Sequence, residues 1–367
     1  MTGQDRIQKK NPYKIVVTKF CHRPKRLGNT YLKHLSSSFL KKKKKVKMKI
    51  AAFNCKNLGT KKVTDKTVVH YLTKIMSQYS VVVILEVMDK SGEAMEKLLQ
   101  ELNNTGSDKK KKSLYTMTAS SQLGRDTYKE QFVCFYREDE VTLTATYQYE
   151  DNQLGDEDAF AREPFILRLS CPTTVVKDLV LIPVHTKPDD SMKELDELHD
   201  VVNVIREKWK TDNIMILGDF NADGRYLSKR KLETIRIRPA PYHWLIADDV
   251  DTTSSNYNDN TYDRIVVYGQ TMLDAIIPGS AKSFNYQQEF NLTDETTLSI
   301  SDHYPVEVEL KMDQKHKAPR QKRAAPSLTE PKKKKAEPAG RKKRSTTTKK
   351  KSTQSKNTPA KRQRLCK

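Results

Sequence analysis

LVLIPVH at residues 179–185 and IMILGDFN at 214–221 bracket SMKELDELHDVVNVIREKW at 191–209, and the hydrophobic period changes twice across the three segments. The outer two are short apolar runs rich in Val and Ile, which reads as buried strands. In the middle one Leu195, Leu198, Val202, Ile205 and Trp209 recur at spacings of three, four, three and four, the apolar stripe of a helix. S-M-K-E at 191–194 has the form of a capping box at its start. The same order occurs earlier. An apolar run at 50–53 precedes Val68, Leu72, Ile75 and Met76 at helical spacing behind the candidate caps Thr64 and Asp65, and another apolar run follows at 81–85. Strands alternating with such helices predict an α/β protein.

Each apolar run stops at a polar group: 50–53 at Asn54, 81–85 at Glu86, 179–184 at His185, and 214–217 at Gly218 followed by Asp219, Phe220 and Asn221. SDHYP at 301–305 adds Asp302 and His303 just before VEVEL (306–310), whose alternation reads as a half-buried strand. Any one of these groups alone also reads as a turn, a cap or a solvated strand end. Together they combine oxygen donors suited to a hard divalent cation with two imidazoles suited to proton transfer near neutral pH. Neighbouring strands carrying them to one sheet edge would build a single cleft.

The formal charge of +22 is unevenly spread. Residues 1–47 hold 15 Lys/Arg against one acid, and residues 311–367 hold 22 against three, which leaves −11 for residues 48–310. An acidic globular domain is therefore expected between a basic N-terminal extension (1–47) and a Lys/Arg-rich tail (311–367). Both ends are too poor in apolar residues to offset the entropy of ordering. Within the tail KKKKAEPAGRKKR (332–344) resembles a bipartite nuclear-import signal, and the tail's charge also suits tethering to DNA phosphates. The start, MTGQDRIQKK, lacks the apolar core of a secretory signal, and no apolar run is long enough to span a bilayer. Cys21, Cys55, Cys134, Cys171 and Cys366 show no metal-type spacing and suit reduced thiols. A soluble monomer of the nucleus, or alternatively the cytoplasm, is expected.

In chain order KIAAFN (49–54), ILEV (84–87), LGRDTYKE (123–130), AREP (161–164), PVHTKP (183–188), GDFNA (218–222), TYDRIV (261–266) and SDHYPVEV (301–308) resemble the motifs of the deoxyribonuclease I family, part of the wider endonuclease/exonuclease/phosphatase group. The basic tail is in the style of that family's gamma-like members. The resemblance covers about residues 48–310. It implies a four-layer α/β sandwich, two packed mixed and mainly antiparallel sheets with helices outside. It also implies metal-dependent endonucleolytic hydrolysis of DNA, double-stranded in the family's manner, leaving 5′-phosphate ends. On the family's pattern Glu86, with Asn54 nearby, and Asp302 bind Mg²⁺ (or Mn²⁺), while Asp219, Asn221 and Asp302 surround the scissile phosphate. His185 and His303 form the acid/base pair, oriented by Glu130 and Asp263. Arg162, Tyr128 and Lys56 are the implied DNA contacts. Asp251, Thr253 and the acidic loop Asp156-Glu157-Asp158 are the implied Ca²⁺ ligands.

Three positions depart from the pattern. Met88 stands where many members carry an arginine that enters the minor groove, and Gly224 and Asn260 stand where relatives carry a disulfide. The alternative to an active nuclease is an inert core that binds chromatin through its basic tail. The intact His185, His303, Glu86, Asp219 and Asp302 speak against it.

Overall fold

The computed structural model of the protein describes residues 48–104, 114–125, 127–151 and 158–314. The N-terminal extension, the import-like cluster at 332–344, Cys21, Cys366, Asp156 and Glu157 lie outside the described residues. The strands are β1 (Met48–Leu58), β2 (Val81–Val87), β3 (Tyr115–Ala119), β4 (Gln131–Arg137), β5 (Thr142–Gln148), β6 (Phe165–Ser170), β7 (Asp178–His185), β8 (Ile214–Asp219), β9 (Tyr242–Trp244), β10 (Asp263–Tyr268), β11 (Lys282–Ser283) and β12 (Val306–Leu310). They form two six-stranded sheets, ordered β11-β12-β1-β2-β4-β3 and β5-β6-β7-β8-β10-β9. β1 runs parallel to β2, and β7 to β8; every other pairing is antiparallel.

The burial pattern explains the layers. Period-2 alternation sends Ile50 and Ala52 of β1 and Val81, Val83 and Leu85 of β2 into one cluster with Leu167, Leu169, Leu181, Leu217 and Ile265 of the other sheet, so the sheets pack face to face. The intervening residues Ala51, Phe53, Val82 and Ile84 turn the other way, onto Leu72, Ile75 and Leu98 from the helices Lys66–Met76 and Glu93–Asn104. Val180, Ile182 and Ile216 likewise pack against Leu195, Leu198, Val202 and Ile205 of the helix Ser191–Trp209. Apolar runs with no alternation are thus strands buried on both faces. The result is the four-layer sandwich, and among the described residues no helix is long and apolar enough to cross a membrane.

Local chemistry departs from expectation in three places. Asp65 does cap its helix, accepting from the backbone N–H groups of Thr67 and Val68. The capping box at Ser191 does not form: a 3₁₀ turn, Pro188–Asp190, leads straight into the helix, the Ser191 hydroxyl has no partner among the described residues, and Glu194 instead accepts from the backbone N–H of Lys187 at 3.0 Å. β12 is not half-buried, because β1 and β11 flank it and Glu307 is covered; its carboxylate takes the Tyr79 hydroxyl at 2.9 Å and the Lys49 ammonium at 2.8 Å. The ordered domain also runs past the expected boundary at 310. Lys311 accepts from the backbone N–H of Val175, and the Asp313 N–H donates to Thr173, so residues 311–314 finish the fold.

Cys55, Cys134 and Cys171 are free and buried, and burial pushes all three thiols up. Gly224, at φ +59°, lies against Asn260: a Cβ on it would meet the Asn260 Oδ1 at 2.6 Å. The two positions at which the resemblance implied a disulfide are therefore in contact. Gly224→Ala should cost about 1–2 kcal/mol in a urea titration through its left-handed backbone and this clash. Adding Asn260→Ala should recover only the steric part.

Candidate active site

The polar ends of the strands meet at one edge of the sandwich. In the second sheet His185 pairs in register with Asp219, and Asp219 with Asp263, so three functional groups stand in a row across β7, β8 and β10. The first sheet contributes Asn54 near the end of β1, Glu86 near the end of β2, Glu130 just before β4, and Asp302 and His303 shortly before β12. Glu86 sits in a register break between Ile84 and Val87, with φ 54°; that bulge turns its carboxylate toward the cleft rather than into a sheet face. Gly218, at φ +141°, allows β8 to lie against β7, since a Cβ there would fall 2.0 Å from the Val184 carbonyl oxygen.

Asn54 joins the two sheets. Its Nδ2 donates to Glu86 Oε1 at 2.9 Å and to Asp219 Oδ2 at 3.0 Å. The same Asp219 oxygen lies 3.7 Å from both His185 Nε2 and His303 Nε2. Behind each ring stands a buried carboxylate: Glu130 Oε1 at 2.5 Å from His185 Nδ1, and Asp263 Oδ2 at 2.7 Å from His303 Nδ1. Each Nδ1–H donates to its carboxylate, which fixes the tautomer and aims Nε2 at the cleft. Asn221, at φ 47°, donates from Nδ2 to the Thr186 carbonyl and from its backbone N–H to Asp219 Oδ1. Asp302 pairs with the Lys56 ammonium at the mouth.

The acids set the charge state of the rings. Burial alone would lower His303, but Asp263, Asp219 and Asp302 overcome it and raise the ring to about 10. His185 is raised by the same contest, burial against Glu130 and Asp219, with Arg162 opposing the rise. Burial pushes Asp263 up to about 6 against the pull of His303, so it remains ionised at neutral pH. Burial would also raise Asp302, yet His303 and Lys56 hold it below the usual carboxylate range.

Such a cluster suits a cation. Glu86, Asp219 and Asp302 line one cleft of about 710 Å³, an oxygen-rich set fit for a hard divalent ion. Asp219, Asp263 and His303 also bring ligand atoms within 4.8 Å of one another. Asp263 is wholly buried and occupied by the His303 ring, however, so an ion entering the cleft meets Glu86, Asp219 and Asp302.

The remaining expected residues divide. Tyr128 is exposed at the rim, its hydroxyl on Asn57 Oδ1 at 3.1 Å, and Met88 is exposed as well. Arg162 is anchored through Nε to Glu130 and to the His185 carbonyl, both at 2.9 Å, which holds the first dyad in place. The expected Ca²⁺ ligands have partners within the protein. Asp251 Oδ1 is taken by the N–H and hydroxyl of Thr253, and Asp158 is paired with Arg125 at 2.8 Å.

Two supporting residues escaped the sequence reading. Ser301 donates its hydroxyl to the Asn54 carbonyl at 2.6 Å and accepts the His303 N–H at 3.1 Å, tying the SDH turn to β1. Glu194 is buried, pushed up to about 7 by desolvation despite the Lys187 N–H and the Arg162 charge. Its place in an apparent capping box hid it. Ser301 left no signal beyond its adjacency to Asp302.

The sandwich and the paired imidazole–carboxylate groups at its edge are the arrangement of the Endonuclease/Exonuclease/phosphatase family, which matches residues 51–303. The chain belongs to that family, and within it to the deoxyribonuclease I branch. It is 40% identical over 265 residues to Deoxyribonuclease-1 of Oryctolagus cuniculus, spanning 72% of this chain and 92% of that one. To Deoxyribonuclease gamma of Homo sapiens it is 38% identical over 264 residues, 72% and 86% of the two chains. To human Deoxyribonuclease-1-like 1 it is 40% identical over 269 residues, 73% and 86% of the two. The fold alone is shared with an endonuclease/exonuclease/phosphatase family protein from Leptotrichia buccalis, at TM-score 0.50, 15% identity, and coverage of 72% and 99%.

His303 is raised in the folded state, so its stabilising contribution is complete below the unfolded value near 6.5 and is lost as pH rises through about 10. In EDTA the urea midpoint of the parent should fall more between pH 7 and 10.5 than that of His303→Gln. Equal falls in the two proteins would contradict the raised ring.

Proposed function

We propose that the protein is a deoxyribonuclease that cleaves DNA internally with the help of a divalent cation, Mg²⁺ or Mn²⁺, and leaves 5′-phosphate ends. One observation carries the reading. Two imidazoles, each held from behind by a buried carboxylate, bring their Nε2 atoms to 3.7 Å from a single Asp219 oxygen inside an acidic cleft. Relatives named deoxyribonucleases, matched over most of their length, support DNA as the substrate.

Chemistry follows from the geometry. A phosphodiester repels an attacking water, so its charge must be neutralised as the pentavalent state forms. A cation held by Glu86, with Asn54 beside it, and by Asp302 would supply that neutralisation. Asn221, on its fixed turn beside Asp219, stands where it can orient the phosphate. Water adds to phosphorus while one imidazole Nε2 takes its proton; the P–O3′ bond breaks and the other imidazole gives a proton to the departing O3′. The phosphate stays on the 5′ oxygen of the next nucleotide. Contact with the flanking duplex is assigned to the exposed Tyr128 and Lys56 and, through the part of its guanidinium not tied to Glu130, to Arg162. For Ca²⁺ the candidates are Asp251 and Thr253, whose side chains converge, while Asp158 is taken by Arg125.

An inert core acting only through its tail is not favoured, since each proton-transfer group retains its orienting partner. Plasmid nicking should therefore require added Mg²⁺ and stop with EDTA. His185→Ala and His303→Ala should each lose about 10²–10⁴-fold in kcat without a collapse in melting temperature. Either variant within tenfold of the parent would remove that ring from the mechanism. Glu86→Gln should raise the Mg²⁺ requirement, and an unchanged titration would exclude it as a ligand.

The tail is assigned nuclear import, through an import receptor at 332–344, and DNA tethering. Because residues 311–314 belong to the fold, the truncation that tests both begins at 315. It should move a tagged protein out of the nucleus and flatten the salt dependence of DNA binding, by about 0.9 in log–log slope for each phosphate no longer neutralised. Turnover on saturating short duplexes should persist. Unchanged location together with an unchanged slope would refute both roles.

A further inference from the structure

The acidic cleft continues past Asp302. A second hollow of about 530 Å³ shares Lys56, Leu298 and Asp302 with the first, and its own lining includes Asn57, Lys61 and Lys62. Arg225 lines the first hollow together with Glu86, Asp219 and both imidazoles, and Lys61 lines only the second; Asp302, at the edge of the reacting centre, lies where the two meet.

The other two cations along this path have partners within the free protein. Lys56 pairs with Asp302, and the Lys62 ammonium donates to the carbonyls of Cys55 and Ile300 at 2.9 and 2.6 Å. Arg225 and Lys61 are exposed, and among the described residues neither forms an ion pair with a carboxylate. Arg225 is nevertheless positioned. One N–H donates to the Tyr226 hydroxyl at 2.9 Å, with the guanidinium 4.9 Å above that ring. Tyr226 rests 5.4 Å from Tyr262, which lies 6.3 Å from the His303 ring. A guanidinium held by one edge keeps its other N–H groups for a bidentate anion, and a chain of rings fixes it relative to the reacting centre.

We propose that Arg225 and Lys61 each bind one backbone phosphate of the cleaved strand, on opposite sides of the scissile bond. This rests on the nuclease reading and deepens it. A strand crossing an acidic centre needs cations where its charge is not met by a metal, and it gains them here before and after the centre. A substrate ending at the scissile position leaves one of the two cations without a phosphate, so the arrangement selects internal bonds over terminal ones.

The test uses the full chain with Mg²⁺ and short duplexes in which cleavage at one labelled position is followed. Single methylphosphonates, which remove one phosphate charge, are placed in turn at each neighbouring linkage. The parent should lose about tenfold in kcat/KM at one linkage on each side. Arg225→Ala should be slower on the unmodified duplex by a similar factor and indifferent to the methylphosphonate on one side only, and Lys61→Ala indifferent on the other side only. Each variant should also lower the salt slope by about one. Arg225→Lys should restore part of the loss, as a point charge without the fork. Variants that respond to every methylphosphonate as the parent does, or that both become indifferent to the same linkage, would overturn the two-sided track while leaving the nuclease reading intact. A parent that fails to cut unmodified duplex would remove the nuclease reading itself, and this inference with it.

Discussion

A single buried carboxamide holds the two halves of the site in register. Asn54 lies within β1 of one sheet and donates both to Glu86, on the neighbouring strand, and to Asp219, on the facing sheet. The sheets pack through apolar side chains, which fix their separation but are indifferent to small slips along the strands. Directional hydrogen bonds at the edge remove that freedom. Once Asp219 is placed, both Nε2 atoms are placed with it, because each ring is pinned from behind by a carboxylate on an ordered element.

That precision is held against local preference. Lys56, Asn57, Glu86 and Asn221 all have positive φ, between 38° and 54°, and all lie in or beside the cleft. Non-glycine residues in this region cost on the order of 1–3 kcal/mol each. The surrounding sandwich, with Phe53, Ile84 and Leu217 fully buried, supplies the stability that holds them there. A flexible loop could carry the same side chains, but not at fixed distances from a shared oxygen.

Electrostatics divide the labour along the chain. The central residues 48–310 sum to −11, and the cleft concentrates carboxylates strongly enough to keep His303 protonated well above neutrality. This field attracts a divalent cation and repels a polyanion. The basic ends of the chain, +14 and +19, and the cations lining the two hollows act in the opposite sense. By formal charge, attraction of a polyanion and attraction of a cation fall to different parts of one polypeptide.

The apolar runs at 50–53, 81–85, 179–184 and 214–217 were legible as strands because burial on both faces leaves no other composition. Their polar ends were legible as one site because parallel neighbours must finish on the same sheet edge. Helix stripes such as Leu195 to Trp209 follow from periodicity alone. Tertiary structure alone decided the rest. Glu194 reads as a cap but turns inward, since the preceding 3₁₀ turn already starts the helix. Glu307 reads as a solvated position but is covered by packing from Lys49 and Tyr79. Ser301 gains its meaning only from residues far away in the chain, and Arg225 and Lys61 from the hollows that distant segments close around them. The sequence by itself determined which segments are buried and which groups end them, because those depend on near neighbours. Which distant groups share an oxygen, a ring or a cleft depends on long-range pairing, and only the folded chain decides that.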